Sequence, residues 1–358
     1  MKIKFAQTIR NYDRKNLGKD LVAGLIIMAV SIPISMGYAQ IAGLPAVYGL
    51  YGSVFSILLF ALLSTSPQFI FGVDAAPAAL IGAALLDLHI ESGSKEALAA
   101  VPVLTAFVAL WLFAFYVMRA GKLVNYISAP VMGGFITGIC TTIILMQMPK
   151  LLGGTAGTGE FFELAEHIAE TVGEINLPSL ALGVAALVIV LTAKKVIPKF
   201  PMAVLLMAAG ALMTKYLPLR AWGIKTLDAV EPGLPVWSLP DFTAVPVREA
   251  VTISLSVAVV IMAETLLAEN NFAQKNGYRI NDNQEILAFA MGNLAAALTG
   301  CCPINGSVSR TAMGEQYQAK TQLTGIVAGL SMIVLLLGGT GFIGYLPVPV
   351  LTAIVISA

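Results

Sequence analysis

Three hydroxyl groups and one cation lie close together in the stretch 300–322, between two strongly apolar segments. Ser307, Ser309 and Thr311 can donate hydrogen bonds, and Arg310 adds a full positive charge. Hydrogen-bond donors and a cation at membrane depth are typical of a site that binds an anion. Two other roles for Arg310 remain open, a structural counter-ion and a side chain that extends to the cytoplasmic face of a membrane.

Glu264 is the second candidate, because the surrounding segment 255–267 is otherwise apolar or small. A buried carboxylate is costly, so it must pair with a cation or be neutralised. Neutralisation by H⁺ or Na⁺ would couple ion binding to anion binding, whereas a fixed salt bridge with Arg310 would make Glu264 structural. Asp74 precedes a short apolar helix and is predicted to cap its N-terminus.

The composition places these residues inside a membrane. The chain of 358 residues is 58% hydrophobic and 11% charged, with a mean hydropathy of +0.84. In soluble domains about a quarter of all residues are charged. We therefore predict an all-α polytopic protein whose partner is the lipid bilayer. Net charge and motifs indicate no nucleic-acid partner, no metal site, no cofactor and no enzyme active site.

Apolar segments predict twelve helices, and two of them are too short to cross a bilayer. The predicted helices are 21–42, 46–64, 76–90, 98–118, 127–147, 177–194, 201–217, 250–268, 284–300, 308–318, 321–338 and 344–358. The short ones, 76–90 and 308–318, each follow a piece that favours extended backbone, 68–73 and 301–306. Such interrupted segments in matching places of two halves indicate a transporter binding site.

The spacing of the two halves predicts an inverted repeat. The short helix starts 55 residues after the first span (21 to 76) and 57 residues after the span that opens the second half (250 to 307). We divide the chain into an N-terminal segment 1–20, a first repeat 21–217, a connecting loop 218–249 and a second repeat 250–358. In this arrangement the two half-helices meet near the midplane with their N-termini facing.

Charged residues predict the orientation. Basic residues should concentrate on cytoplasmic loops. With a cytoplasmic N-terminus the inside loops carry a basic set, which is Arg119, Lys122, Lys194, Lys195, Lys199, Lys275 and Arg279. The predicted outside loop 153–176 is acidic. We expect a multi-pass protein of the plasma (inner) membrane with its N-terminus in the cytoplasm.

The facing half-helix N-termini predict where the anion binds. Each N-terminus offers unpaired N–H groups and about half a positive charge. Small side chains at Ala75 and Ala76 let a ligand approach the backbone of the third predicted helix, and the hydroxyl–arginine cluster begins the tenth. Tyr38, in the first span after Pro33, is a further candidate for lining the site, with plain packing as the alternative.

Four segments resemble the SulP (sulfate permease) family of anion transporters: Asp20–Gly24, Ala42–Ser53, Gly277–Glu285 and Gly306–Ala312. The resemblance covers essentially the whole chain. It implies a seven-plus-seven helix fold of core and gate domains that moves like an elevator. It also implies an anion held by the positions matching Tyr38, Ala76, Ser309 and Arg310, with Glu264 tied to ion coupling.

The sequence departs from the family pattern in three places. The family usually has a basic residue near Pro67, ahead of the first half-helix, and none appears here. Ile34 stands where the family usually has Gln, which removes an amide donor. The chain ends at Ala358, inside the predicted twelfth helix, so we expect a fragment that lacks about two helices and the cytoplasmic STAS domain. We expect the full-length protein to be a homodimer.

These observations predict a secondary active transporter of a small anion, with H⁺- or Na⁺-coupled symport. The anion is sulfate, bicarbonate or a dicarboxylate. One alternative is an uncoupled anion exchanger or channel in which Glu264 is structural. A second is a nucleobase permease of the same architecture, which would have little use for Arg310 facing its ligand.

Overall fold

The computed structural model of the chain describes residues 5–8, 10, 12–122, 129–157, 161–197 and 200–357. Within these residues the chain is mostly helical, with two very short β-strands, and its 3-10 helices include Arg14–Asn16 and Thr340–Tyr345. The α-helices are α1 (Leu17–Ile41), α2 (Val47–Leu63), α3 (Ala75–Asp87), α4 (Lys95–Met118), α5 (Ala129–Leu151), α6 (Phe161–Val172), α7 (Leu177–Val196), α8 (Met202–Tyr216), α9 (Val247–Asn276), α10 (Asp282–Leu298), α11 (Val308–Gln316), α12 (Leu323–Gly338) and α13 (Val348–Ser357), and the strands are β1 (Phe71–Gly72) and β2 (Asn305–Gly306).

Four of the described helices are long and apolar enough to cross a membrane: α4, α7, α9, and α1 together with the 3-10 turn before it. Five shorter helices, α2, α3, α8, α12 and α13, are also apolar. Backbone N–H and C=O groups in lipid must form hydrogen bonds within their own segment. A chain of this composition is therefore expected to be helical. The prediction of an all-α membrane protein is confirmed.

The predicted helices agree with the structure to within about one turn, with two differences. The helix α9 continues to Asn276 and ends at Gly277, whose left-handed backbone (φ 72°) forms the C-cap. The segment predicted as an acidic outside loop contains α6. Apolar residues recur there at 164, 168 and 172, which is the helical spacing of four, so the pattern was present but was obscured by the acidic residues between them.

The helices pack in two groups that share few contacts. In one group, α10 lies against α2 and α4, α1 against α2 and α12, and α4 against α9. In the other, α13 packs on α5 and α7, α6 on α5, and α8 on α7. The main contacts between the groups run from α1 to α13 and α8, and from α3 to α5. This division corresponds to the predicted core and gate domains, while the residue boundaries given for the two repeats stay predictions.

The two half-helices, α3 and α11, start where β1 and β2 cross. These strands pair antiparallel, with Phe71 opposite Gly306 and Gly72 opposite Asn305, and the Ser307 N–H donates to Ile70 O at 2.8 Å. Non-helical backbone deep in a membrane protein needs such partners, because no water satisfies it there. The pairing places the first residues of both half-helices beside each other, as the repeat predicts.

Side chains from the second half fix the extended segment before α3. The Gln322 side-chain amide donates to Ser66 O and Phe69 O, both at 2.8 Å, and Ile70 N–H donates to the Thr311 hydroxyl at 3.0 Å. The Phe71 ring stacks between Phe60 and Phe289, with ring centroids 4.9 and 5.3 Å apart. The backbone before α3 is therefore held by residues more than two hundred positions away in the chain.

Candidate functional site

The N-terminus of α11 presents backbone N–H groups that the helix itself does not use. Ser307 is the N-cap residue, but its side chain makes no capping hydrogen bond. The ladder begins only with Thr311 N–H, which donates to Ser307 O at 3.0 Å. The N–H groups of residues 308–310 therefore have no partner within the helix, and the helix dipole adds positive potential at this point.

Arg310 crosses from α11 to the start of α3. Its side chain is fully buried, and Nη2 donates to Val73 O at 2.7 Å and to Asp74 Oδ2 at 3.4 Å. Nη1 reaches the Ser31 hydroxyl of α1 at 3.5 Å. Gly72 makes room for the guanidinium, since a Cβ there would lie 3.0 Å from Nη1. Arg310 thus holds α11, α3 and α1 together.

Asp74 has two roles at the start of α3. Its Oδ1 accepts from Ala75 N–H at 2.7 Å, which confirms the predicted cap. Its Oδ2 forms the ion pair with Arg310. Among the described residues Arg310 makes no ion pair with Glu264, so the salt bridge that the sequence left open is not formed. Arg310 is a counter-ion, and its partner is the carboxylate of the other half-helix.

Glu264 lies half-buried in α9, beside the strand crossing. Its Oε2 accepts from Asn305 Nδ2 at 2.8 Å, so a neutral amide of β2 is its partner. Asp74 acts on Glu264 electrostatically, as it also does on Tyr38. The carboxyl group is therefore near the candidate site, without a cation bound to it among the described residues.

The hydroxyl groups of α11 divide into two kinds. The Thr311 hydroxyl is occupied by backbone, since it donates to Ser307 O at 2.6 Å and accepts from Ile70 N–H. The Ser307 and Ser309 hydroxyls lie 3.4 Å from each other, and these two hydroxyls make no other side-chain hydrogen bond within the described residues. The geometry makes Ser307 and Ser309 the available donors, and makes Thr311 a support for the strand crossing.

The remaining predicted site residues lie around the start of α3. Ala76 is 3% exposed and Ala75 is half-buried. Because Asp74 occupies the Ala75 N–H and Pro77 has none, the Ala76 N–H is the donor that this N-terminus leaves free. Tyr38 is buried in α1, the helix that contacts both α3 and α11, and Asp74, Arg310 and Glu264 all act on it electrostatically.

A cavity of about 550 Å³, here called the main cavity, leads to this site from one side. Ser309 and Arg310 line it together with Ile34, the position where the related family usually has Gln. Its remaining lining residues are Val30, Val190, Lys194, Phe200, Met202, Ala203, Lys275, Ala312, Met313, Glu315, Gln316, Ile354 and Ser357. Because Lys194 and Lys275 belong to loops predicted as cytoplasmic, we expect the main cavity to open to the cytoplasm.

On its other side the site is closed by α1 packed against α13. A Cβ added to Gly37 would lie 2.7 Å from Val355 Cγ2, so the two helices touch at van der Waals distance. The site is consequently open to one side only. Within the described residues, no group of three or more His, Cys, Asp or Glu side chains could hold a metal ion.

The sequence did not indicate Gly72 and Ser31 as parts of the site, or Glu269 and Lys150 as buried charged residues. Gly72 and Ser31 are needed by Arg310, yet both are small residues in apolar surroundings. Glu269 in α9 is fully buried, and its two carboxylate oxygens have no hydrogen-bond partner within the described residues. Lys150, in the last turn of α5, is also buried. A polar residue within an apolar segment was the available signal for Glu269 and Lys150.

Comparison with known protein families identifies a family that matches nearly the whole chain. The model described as "Sulfate permease family" matches residues 17–358. A probable sulfate transporter of Mycobacterium tuberculosis is 28% identical over 349 residues, which are 98% of this chain and 62% of that protein. Sulfate transporter 2.1 of Arabidopsis thaliana is 30% identical over 363 residues, covering 98% of this chain and 54% of its own length. The chain thus spans about half to two thirds of these relatives.

Two solved structures show the fold. The murine Solute Carrier 26 family member A9 anion transporter, in the inward-facing state, has a TM-score of 0.87 at 22% identity, covering 98% of this chain and 61% of that one. The transmembrane domain of the cyanobacterium bicarbonate transporter BicA has a TM-score of 0.84 at 20% identity, covering 97% and 88%. The fold of this chain is therefore the inverted-repeat fold of these proteins.

Proposed function

We propose that this chain, which belongs to the sulfate permease family, carries a small anion across a membrane by alternating access. The chain is a multi-pass membrane protein, and its relatives are named as transporters rather than enzymes. In this proposal the anion binds between the N-termini of α3 and α11. The site residues are Tyr38, Ala75, Ala76, Ser307, Ser309 and Arg310, with Thr311 as their support.

One observation carries the proposal: two helix N-termini meet at the closed end of a cavity that opens to one side. The N–H groups of residues 308–310, which have no partner within α11, and the Ala76 N–H provide donors at this point. Arg310 adds a cation, but Asp74 offsets it. The direct donors to an anion are then the backbone N–H groups and the Ser309 hydroxyl, which suits a small anion that is stripped of water. Arg310 holds the two half-helices that carry these donors in place.

Sulfate is the first substrate to test, because the named relatives are sulfate transporters. Bicarbonate follows, since a bicarbonate transporter shares the fold, and a dicarboxylate is the third candidate. The apolar Ile34 in the main cavity favours a ligand that makes its polar contacts on one side only, towards the half-helices.

Ligand-induced stabilisation of the purified protein tests the site directly. A ligand that binds only the folded state raises the unfolding temperature. We expect sulfate, bicarbonate, chloride or fumarate to stabilise the native chain, and Arg310→Ala to weaken that anion's affinity by about a hundredfold. Arg220→Ala, which removes an arginine outside the site, is the matched control. Stabilisation by uracil that Arg310→Ala leaves unchanged would instead support the nucleobase permease.

We propose that Glu264 couples anion movement to H⁺ or Na⁺. Its only hydrogen-bond partner within the described residues is the neutral Asn305 amide, so a coupling ion could bind without displacing a salt bridge. In proteoliposomes, Glu264→Gln should abolish accumulation driven by a proton or sodium gradient while it preserves anion exchange at equal concentrations. Full accumulation by Glu264→Gln would make the protein an uncoupled exchanger or channel.

Further parts of the proposal concern the membrane, the orientation of the chain, its movement and its oligomeric state. We place the protein in the plasma (inner) membrane, with the N-terminus in the cytoplasm and the main cavity open to that side. We also propose a homodimer and an elevator-like movement of one helix group against the other. The moving groups are the one that contains α1, α2, α4, α9, α10 and α12 and the one that contains α5, α6, α7, α8 and α13. Labelling of single cysteines at Lys275 and Lys225 by an impermeant reagent in intact cells distinguishes the two orientations.

A further inference from the structure

A second pocket lies on the other side of the α1–α13 contact and contains a buried lysine. This closed pocket is lined by Gln40, Gln147, Lys150, Thr352 and apolar residues that include Gly37 and Val355. Lys150 is only 8% exposed, and its Nζ donates to Gln40 Oε1 at 2.9 Å. Among the described residues this neutral amide is its one partner, and no lining residue is acidic.

A buried ammonium group with a single neutral acceptor is poorly compensated. An ammonium carries three donors, of which the bond to Gln40 uses one. Burial of a charge is tolerated when it is paired, so the lysine lacks the partner that would balance it. The charge and the spare donors are complementary to an anion.

Gln147 is a second, independent donor group in the same pocket. It is 1% exposed, it lines the same pocket, and its Nε2 has no hydrogen-bond partner within the described residues. Positions 147 and 150 lie one turn apart on one face of α5. Two buried donor groups therefore point into one pocket that contains no acidic group.

The position of the pocket relates it to the main cavity. Along α1, Ile34 lines the main cavity and Gln40 lines the closed pocket, six residues or about 9 Å further. The contact of Gly37 with Val355 lies between them. The space open to the centre of a water molecule in the closed pocket is about 10 Å³, which is room for one water molecule at most. The pocket and the main cavity thus lie at two different levels along α1, with the Gly37–Val355 contact between Ile34 and Gln40.

We propose that Lys150, Gln147 and Gln40 form a second anion subsite, which opens when α1 separates from α5 and α13. It would take a small inorganic or carboxylic anion at the mouth opposite the main cavity and pass it to the half-helices. In the closed state the Gln40 side-chain oxygen accepts a hydrogen bond from Lys150 that the anion would otherwise accept. This inference rests on the proposed function and extends it to the opposite entrance.

Transport measured separately from the two membrane faces tests the subsite. The probes are labelled sulfate and labelled bicarbonate, taken up by right-side-out and inside-out vesicles from cells that express the chain. We expect Lys150→Gln to raise KM about tenfold for the anion that enters from the Lys150 face. From the face of the main cavity, KM should stay within about twofold of native.

Matched variants separate the subsite from a general effect. Lys150→Arg keeps the charge and should keep KM near native, and Lys225→Gln, an exposed lysine that bonds to Gly154 O, should change neither KM. Gln147→Leu removes the unpartnered donor without removing a charge and should raise the same KM about threefold. It serves as the deciding variant if Lys150→Gln does not fold.

The outcomes distinguish this inference from the proposed function. An equal rise of KM from both faces, or no change in Lys150→Gln and Gln147→Leu while the native chain transports the anion, would overturn the subsite and leave the proposed function standing. Uptake of neither anion by the native chain, together with no anion stabilisation, would overturn the proposed function and the subsite with it.

Discussion

The two half-helices occupy equivalent places in the repeat, yet their N-termini are built differently. The first, α3, begins with alanines, contains Pro77, and is capped by the carboxylate of Asp74. The second, α11, has no side-chain cap and begins with Ser309 and Arg310 among its first residues. One N-terminus therefore carries a negative charge at its cap, and the other carries a positive charge one turn into the helix.

This difference suggests that the two half-helices have different roles. Small side chains on α3 allow a ligand to approach, while Asp74 fixes the Arg310 guanidinium by an ion pair across the gap. The free N–H groups and the Ser309 hydroxyl belong to α11. In this interpretation α3 positions the site and α11 recognises the anion. The following changes, from the largest expected effect to the smallest, test that division.

Alanine substitutions of the glycines in the two paired strands should give the largest difference in effect. A Cβ at Gly306 would lie 2.2 Å from the Phe69 ring and 2.5 Å from Thr265 Cγ2, whereas one at Gly72 would meet only the end of Arg310 at 3.0 Å. We expect Gly306→Ala to destabilise the protein by about 3 kcal/mol or more, and Gly72→Ala to fold and lose about threefold in anion affinity. Thermal unfolding measures the first effect and anion stabilisation the second.

Gly18→Ala is the control for this pair, because a Cβ there meets nothing within 4 Å. If Gly306→Ala unfolded at the native temperature, the strand crossing would not be the rigid element that positions both half-helices.

Arg310→Lys keeps the charge on α11 but loses the planar group that contacts α3 and α1. A lysine ammonium cannot reproduce the fork that meets Val73 O, Asp74 and Ser31 together. We expect anion affinity to fall about thirtyfold, between native and Arg310→Ala. Binding titrations on the purified variant measure this. Native affinity in Arg310→Lys would mean that the ligand needs only a charge near α11.

Asp74→Asn separates the cap of α3 from its charge. Asparagine caps a helix about as well as aspartate, so α3 should remain intact while Arg310 loses its counter-ion. We expect affinity for the anion to rise about fivefold, because the released cation can act on the ligand. The same titration measures the change. A weaker anion affinity in Asp74→Asn, with the helix intact by circular dichroism, would show that α3 does more than position Arg310.

Two hydroxyls of α11 give the smallest and most specific contrast. Thr311→Val removes the bonds to Ser307 O and Ile70 N–H, so we expect a loss of about 1–3 kcal/mol in stability with anion affinity within twofold of native. Ser309→Ala should do the reverse, with native stability and about a threefold loss of affinity. The opposite pattern, a binding defect in Thr311→Val alone, would place the ligand at Thr311.

Local sequence determined much of this fold. Apolar segments gave the helices, and interrupted segments gave α3 and α11, because helix length and extended backbone depend on neighbouring residues. The Asp74 cap was likewise predictable from position, and motif resemblance indicated the family. The amphipathic helix α6 was missed, although residues 164, 168 and 172 have helical spacing.

Only the tertiary structure decided which buried polar and charged residues pair with each other. Arg310 pairs with Asp74, 236 positions away, although Glu264 is nearer in sequence. Lys150 meets Gln40 across the two helix groups. Periodicity shows which residues are buried, and does not show which buried residues face each other. Which partner a buried charge meets, or whether it meets one, is decided only in the folded chain. Here it depends on the strand crossing and on which side α1 and α13 are in contact.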